Sequence, residues 1–226
     1  MSKPVLLVNF KNYDGVLGEG AVRLALAVQK ISKRLEVQFI VAPPGPELST
    51  VAASVELPVF SQTVSDKPSG KSTGAMVPEA LKAAGCAGSI LNHSESRLSV
   101  KTIVAVTPRM RTLGLSACIC GENATEVARF SAMKPEFLAV EPPELIGTGV
   151  AVSKARPSLL RETAKSVRAT GYKGRLLCGA GIVTGDDARA SMRFGMDGIL
   201  VSSSVVLAKS WETKLRELGS ALLEDS

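Results

Sequence analysis

The chain of 226 residues is 45% hydrophobic, 21% charged and 4% aromatic, a globular composition that excludes a disordered or fibrous protein. Lys and Arg number 27 against 21 Asp and Glu, but Lys30, Lys33 and Arg34 sit beside Glu36 and Arg161 beside Glu162, so the net charge of +6 reads as a solvated surface that attracts small anions rather than nucleic acid. Four cysteines and one histidine form neither a disulfide framework nor a zinc-spaced cluster, and no apolar run reaches about 18 residues; a cytoplasmic, reduced protein with no metal and no membrane partner is expected.

The first strand is predicted over Val5 to Phe10. Alternation puts Asn9 and Lys11 on one face and Phe10 on the other. A lysine facing inward at a strand end is costly unless an anion meets it, which makes Lys11 a candidate binding group. The following segment carries Ala21, Leu24, Ala25, Val28 and Ile31 at helical spacing, one apolar stripe for burial. Strands are predicted next at Val37 to Ala42 and Val59 to Val64. The segment from Ser65 to Val77 is a long polar excursion. Its Gly70-Lys71-Ser72-Thr73 imitates the end of a nucleotide-binding loop, but Ser65 stands where the first glycine belongs and Pro68 interrupts it, so nucleotide hydrolysis is not expected.

A fourth strand over Ala87 to Asn92 runs directly into His93, the chain's single histidine. Ser94 and Glu95 are suited to open a helical turn, whose positive end would favour a neutral imidazole able to donate a hydrogen bond to an oxyanion. The fifth strand, Leu115 to Cys120, places Cys118 and Cys120 on one face. The sixth, Phe137 to Glu141, ends on a carboxylate followed by Pro142-Pro143 and the segment Glu144-Leu145-Ile146-Gly147-Thr148-Gly149. A stiff proline start and a glycine-containing end suit a lid that moves as one body. Leu159, Leu160, Ala164 and Val167 mark another helix. The last two strands, Arg175 to Gly179 and Asp197 to Val201, end in Gly179-Ala180-Gly181 and Ser202-Ser203-Ser204. Small residues there let backbone N–H groups approach an anion.

Eight strand-helix units in 226 residues average about 28 residues each, with no linker between them. This favours one α/β domain over residues 1–226, a (β/α)8 barrel. A doubly wound parallel sheet shares the alternation and is the rival. In a barrel, reactive groups belong at the C-terminal strand ends, where Asn9, Lys11, His93 and Glu141 all fall.

Asn9-Phe10-Lys11, Asn92-His93-Ser94-Glu95 and Val140-Glu141-Pro142-Pro143-Glu144-Leu145-Ile146-Gly147-Thr148-Gly149, in this order, closely resemble the triosephosphate isomerase family, especially its short archaeal type. Cys178-Gly179-Ala180-Gly181-Ile182 and Gly198-Ile199-Leu200-Val201-Ser202-Ser203 fit as well, so the likeness spans the chain. The resemblance implies a TIM barrel that interconverts dihydroxyacetone phosphate and glyceraldehyde 3-phosphate, in glycolysis and gluconeogenesis, without cofactor or metal. It makes Glu141 the base, His93 the electrophile, Lys11 the balancing charge, Asn9 an orienting group and Glu95 the partner of Lys11. Ile146, Gly147, Gly181, Ser202 and Ser203 would hold the phosphate. The segment from Pro142 to Gly149 would be the lid. The excursion from Ser65 to Val77, with Thr73 near its tip, would enter a neighbouring subunit of a homodimer or homotetramer.

Two departures stand out. The chain is shorter than the roughly 250 residues usual for the fold, and Ser202-Ser203 replaces the two glycines of many longer relatives. The rival functions are another phosphate-binding barrel enzyme, an aldolase or an epimerase, and an inactive scaffold that binds a phosphometabolite. An aldolase needs a Schiff-base lysine or a metal and the epimerase needs metal ligands, whereas a scaffold has no use for a base beside an electrophile.

Overall fold

Parity along the strands decides which residues fill the centre and which face the helices. The computed structural model describes residues 3–142 and 156–224. In the first strand, β1 (Val5–Asn9), Val5 and Leu7 pack with Ile40, Ile90, Cys118, Cys120, Ala139, Leu177 and Leu200 in an inner cluster. Leu6, Val8 and Phe10 belong instead to the larger layer between sheet and helices. Both layers are apolar, as the near-continuous hydrophobic runs require of strands covered on both sides.

The other strands are β2 (Gln38–Ala42), β3 (Phe60–Ser61), β4 (Gly88–Leu91), β5 (Ser116–Gly121), β6 (Phe137–Val140), β7 (Arg175–Cys178) and β8 (Gly198–Val201). They form one parallel sheet of eight strands in the order β2-β1-β8-β7-β6-β5-β4-β3. An isolated parallel bridge between Val41 and Val59 joins the two ends, with the Val41 N–H donating to the Pro58 carbonyl at 3.1 Å. The sheet is therefore a (β/α)8 barrel, and the doubly wound alternative is set aside by that seam.

The third strand is much shorter than the predicted Val59 to Val64. Beyond Ser61 the chain leaves the ladder, and the Gln62 side chain donates to the carbonyls of Lys11 at 3.0 Å and Ala42 at 3.1 Å. A polar side chain thus ties the loops after β1 and β2 together where backbone pairing has stopped.

Helices α1 (Glu19–Ser32), α2 (Leu48–Ser54), α3 (Pro78–Ala83), α4 (Val100–Thr112) and α5 (Ala124–Phe130) lie on the first half of the barrel. The second half carries α6 (Pro157–Ala169), α7 (Gly185–Arg193), α8 (Ser203–Val206) and α9 (Trp211–Ala221). The predicted stripe of α1 is buried in full. On α6, Leu159, Leu160 and Val167 are buried, and Thr163 joins them by donating its hydroxyl to the Leu159 carbonyl at 2.7 Å. Each fully buried Leu contributes about 1.5–3 kcal/mol relative to an exposed one. Among the described residues no helix is long and apolar enough to cross a membrane.

Candidate active site

The inward parity of each strand, carried to its last residues or one step past its C-terminal end, builds the mouth of the barrel. Val5 and Leu7 lead to Asn9, Ile90 to Asn92, Cys118 to Cys120, Ala139 to Glu141, Leu177 to Gly179 and Leu200 to Ser202. The strand ends therefore bring Asn9, Lys11, His93, Glu95 and Glu141 to one face.

Asn9 is buried, and its Oδ1 accepts the Lys11 backbone N–H at 3.0 Å. Lys11 has a φ of 50°, a left-handed conformation unusual for a residue with a side chain. The Asn9 bond and the Gln62 amide on the Lys11 carbonyl hold it there. The Lys11 ammonium meets Glu95 Oε1 at 2.6 Å, so the inward lysine has the anionic partner its position requires.

Asn92 is the second left-handed residue at the mouth, with a φ of 60°. Its side chain donates to the Cys120 carbonyl at 2.9 Å and accepts the Leu98 N–H at 3.0 Å, fastening β4 to β5 and to the next loop. It delivers His93 into the site. The turn after His93 is closed by the Ser96 N–H on the His93 carbonyl at 2.8 Å. Within that turn the Glu95 N–H donates to His93 Nδ1 at 3.1 Å. A nitrogen that accepts a backbone N–H bears no proton, so the ring proton sits on Nε2. Nε2 points at Glu141 Oε1, 3.7 Å away.

Glu141 is 1% exposed, and neither carboxylate oxygen has a hydrogen-bond partner among the described residues. Burial pushes its carboxyl above the ordinary carboxylate range, against the lowering influence of His93, the nearby Cys120 thiol and Lys11. Cys120 stands beside the carboxylate without a hydrogen bond of normal geometry to it, and its own thiol is raised by Cys118, by burial and by Glu141.

Room for the carboxylate comes from β7. A methyl carbon on Gly179 would lie 2.4 Å from Glu141 Cγ and 2.7 Å from its Oε1. Gly179 is read from the sequence as part of an anion loop; in the fold its missing side chain is the space occupied by Glu141. No signal in the sequence points to that role, because it depends on β6 and β7 being neighbours.

A cavity of about 500 Å³ opens beside Asn9, Lys11, Gln62, His93 and Glu95. A narrower cleft shares Lys11 and His93 with it and runs between Gly181–Val183 and Ser202–Ser204. The Ser202 and Ser204 hydroxyls are buried without partners among the described residues. At the start of α8 the Val205 and Val206 N–H groups donate to the Ser202 carbonyl at 3.0 and 2.9 Å, which leaves those of Ser203 and Ser204 without an acceptor among the described residues. Ser202 has a φ of −139°, so serine in place of glycine carries no left-handed strain. Such a cleft, lined by free donors beside a lysine, suits an anion. Gly181, Ser202 and Ser203 line it; Ile146 and Gly147, with Pro143, Glu144 and the rest of the expected lid to Gly149, lie outside the described residues.

The family model described as triosephosphate isomerase matches residues 4–218. The chain belongs to the triosephosphate isomerase family. It is 38% identical to the triosephosphate isomerase of Methanothermus fervidus over 218 residues, covering 96% of this chain and 98% of that protein. The triosephosphate isomerase of Saccharolobus solfataricus is 38% identical over 224 residues, 99% of this chain and 98% of its own. That of Methanocaldococcus jannaschii is 36% identical over 214 residues, 95% and 98% respectively. The resemblance to the archaeal triosephosphate isomerases therefore extends over nearly the whole chain, and these relatives share its short length.

Proposed function

We propose that this protein interconverts dihydroxyacetone phosphate and glyceraldehyde 3-phosphate by moving one proton between adjacent carbons. The observation that carries the reading is the facing pair of Glu141 and His93, a buried carboxylate without a hydrogen-bond partner among the described residues and a ring N–H 3.7 Å from it, at the mouth of a barrel of this family.

Glu141 takes the proton from the carbon next to the carbonyl, and the electron pair of that C–H bond moves into a carbon–carbon double bond as the carbonyl becomes an enediolate oxygen. The His93 Nε2–H donates to that oxygen. His93 passes its Nε2 proton to that oxygen and takes the hydroxyl proton from the oxygen on the adjacent carbon. Glu141, now protonated, returns its proton to the former carbonyl carbon as the adjacent C–O becomes the new carbonyl. Both residues end in their starting states, so atoms and charge balance over the cycle. Base and electrophile in these roles are already established for triosephosphate isomerases; the support for them here is the Nδ1 contact that leaves the ring proton on Nε2. Lys11 offsets the negative charge of phosphate and enediolate, Glu95 holds the Lys11 ammonium, and Asn9 orients the substrate. Phosphate binds in the cleft at Gly181, Ser202 and Ser203, joined by Ile146 and Gly147 when the lid closes over the site. The lid keeps water from the enediolate.

The direct test is turnover of glyceraldehyde 3-phosphate by the purified chain in a coupled assay. Rapid conversion to dihydroxyacetone phosphate supports the proposal. A folded protein that binds phosphate but converts nothing belongs with the scaffold reading. The geometry adds a steric test. Gly179→Ala forces the base to shift by about 1 Å, which is expected to lower kcat by about a hundredfold with the circular dichroism spectrum unchanged. A variant with full kcat would show that Glu141 has no fixed position against β7.

The site is completed, in this proposal, by the excursion between β3 and α3 of a second copy. Its base is closed by the Ser65 N–H on the Met76 carbonyl at 2.8 Å, and Arg109 of α4 donates to the Lys67 carbonyl at 2.7 Å. Thr73 is exposed on a turn near its tip. Thr73→Arg would bury a charge in the partner and cost several kcal/mol. Sedimentation is then expected to report a 23.6 kDa monomer of lowered activity. An unchanged oligomer would remove Thr73 from the interface.

A further inference from the structure

The C-terminal helix α9 holds both walls of the anion cleft from behind. Trp211, Lys214 and Glu217 recur every three residues along it and so project toward the same side. The Trp211 indole N–H donates to the Val206 carbonyl, at the end of α8, at 3.1 Å. Lys214 Nζ donates to the Val183 carbonyl at 3.0 Å and to Glu217 Oε2 at 2.7 Å. Glu217 Oε1 accepts the Gly185 N–H at 2.8 Å. One helix face thus grips the loop before α7 at two backbone groups and the end of α8 at a third.

Asp187 completes the arrangement from inside α7. Its Oδ2 accepts the Val183 N–H at 3.2 Å and the Thr184 N–H at 2.9 Å. The rear of this loop has its hydrogen bonds made within the protein, which leaves Gly181 and its neighbours facing the cleft. The helix is itself anchored: Leu215 and Leu218 are buried, and Glu212 pairs with Lys30 of α1 at 2.8 Å. Burial works to raise the Glu217 carboxyl, but its bonds from Lys214 and Gly185 more than offset this and hold it below its ordinary value.

We infer that α9 is a positioning element for the phosphate end of the substrate, with Lys214, Glu217 and Trp211 fixing the spacing between the Gly181–Val183 loop and the one-turn helix α8, which Trp211 holds by its last residue. None of the three touches the substrate. They act through the backbone they hold, so their loss opens the grip on phosphate while leaving Glu141 and His93 where they are. The inference rests on the phosphate reading of the cleft given above.

The experiment is steady-state kinetics of the full chain and of Lys214→Met, with inorganic phosphate as the competing anion. Losing a charged hydrogen bond that sets the loop is expected to raise KM and the phosphate inhibition constant together by about five- to tenfold, with kcat within about twofold. Lys214→Arg, which keeps a donor, is expected to restore most of both. Wild-type inhibition by phosphate with a Lys214→Met variant that matches it in KM and inhibition constant overturns the inference and leaves the phosphate reading standing. A fall in kcat and melting temperature with phosphate inhibition unchanged, as a purely structural contact would give, also overturns it. Absence of competitive phosphate inhibition in the wild type removes the phosphate reading and this inference with it. If Lys214→Met does not fold, Trp211→Phe, which keeps a ring but loses the N–H on Val206, carries the same expectation for the other wall, and an unchanged inhibition constant there overturns it.

Discussion

Glu141→Gln is expected to lower kcat by about a hundredfold to ten-thousandfold, the range for losing a positioned general base, while making the protein harder to unfold. The two effects have one origin. Glu141 is buried, both its oxygens lack a hydrogen-bond partner among the described residues, and its carboxyl is raised by that burial. A carboxyl whose folded-state pKa lies above its unfolded value favours folding in its protonated form. That contribution is present in full below the ordinary value and is lost as pH rises through the raised one. At neutral pH the native state therefore carries a desolvated charge that glutamine lacks, with Lys11 and His93 recovering only part of the cost. Each kcal/mol so regained raises the melting temperature by about 2–4 °C for a chain of this size. Kinetics and thermal melts at pH 7.5 and about pH 4 check this, the gain in melting temperature shrinking toward the acid side. An active variant, or one less stable than wild type at neutral pH, would refute the assignment. The wild-type acid limb of kcat/KM is expected to lie above the ordinary carboxylate range, because the base must be ionised to accept the proton.

The second large effect is expected at Lys11. Methionine preserves the length and the apolar stem of the side chain and removes the ammonium, and kcat/KM is expected to fall by about a hundredfold to a thousandfold, as when one charge-stabilising group is deleted from a preorganised site. Stability should barely change. The partner, Glu95, is more than half exposed and regains water when its lysine is lost, and such partly solvated pairs contribute about 1 kcal/mol or less. Steady-state rates beside a melting curve separate the two. A Lys11→Met variant that keeps a tenth or more of the wild-type kcat/KM would mean that the ammonium balances Glu95 and nothing else.

Much of this site is legible in the sequence because strand parity alone carries it. Asn9 and Lys11 alternate with Phe10, Glu141 ends an apolar run, and His93 follows another, so the order of apolar and polar residues is enough to place each at a strand end. What parity does not reveal is which strands are neighbours. Gly179 makes room for Glu141 only because β7 lies against β6, and Cys120 faces the same carboxylate only because β5 lies on the other side. Gln62 is concealed by a predicted third strand that continues to Val64, although an amide inside an apolar run is a reason to end it. The contacts of Lys214 and Glu217 escape for another reason: on a surface helix, a lysine and a glutamate three residues apart look like an ordinary exposed pair, and their true acceptor and donor are backbone groups about thirty residues earlier.

The seam between β2 and β3 has a consequence for how the barrel breathes. Five residue pairs join β1 to β2, whereas one bridge joins β2 to β3. Local opening costs least where the fewest hydrogen bonds must break, so the stave most easily sprung is this one. Gln62, just past β3, crosses the gap at its upper end, and both its acceptors lie on the far side, the Ala42 carbonyl at the end of β2 and the carbonyl of the left-handed Lys11 after β1. The weakest joint of the scaffold is thus laced by the same amide that keeps the lysine in its left-handed pose, and a barrel that springs open there lets go of the lysine in the same motion.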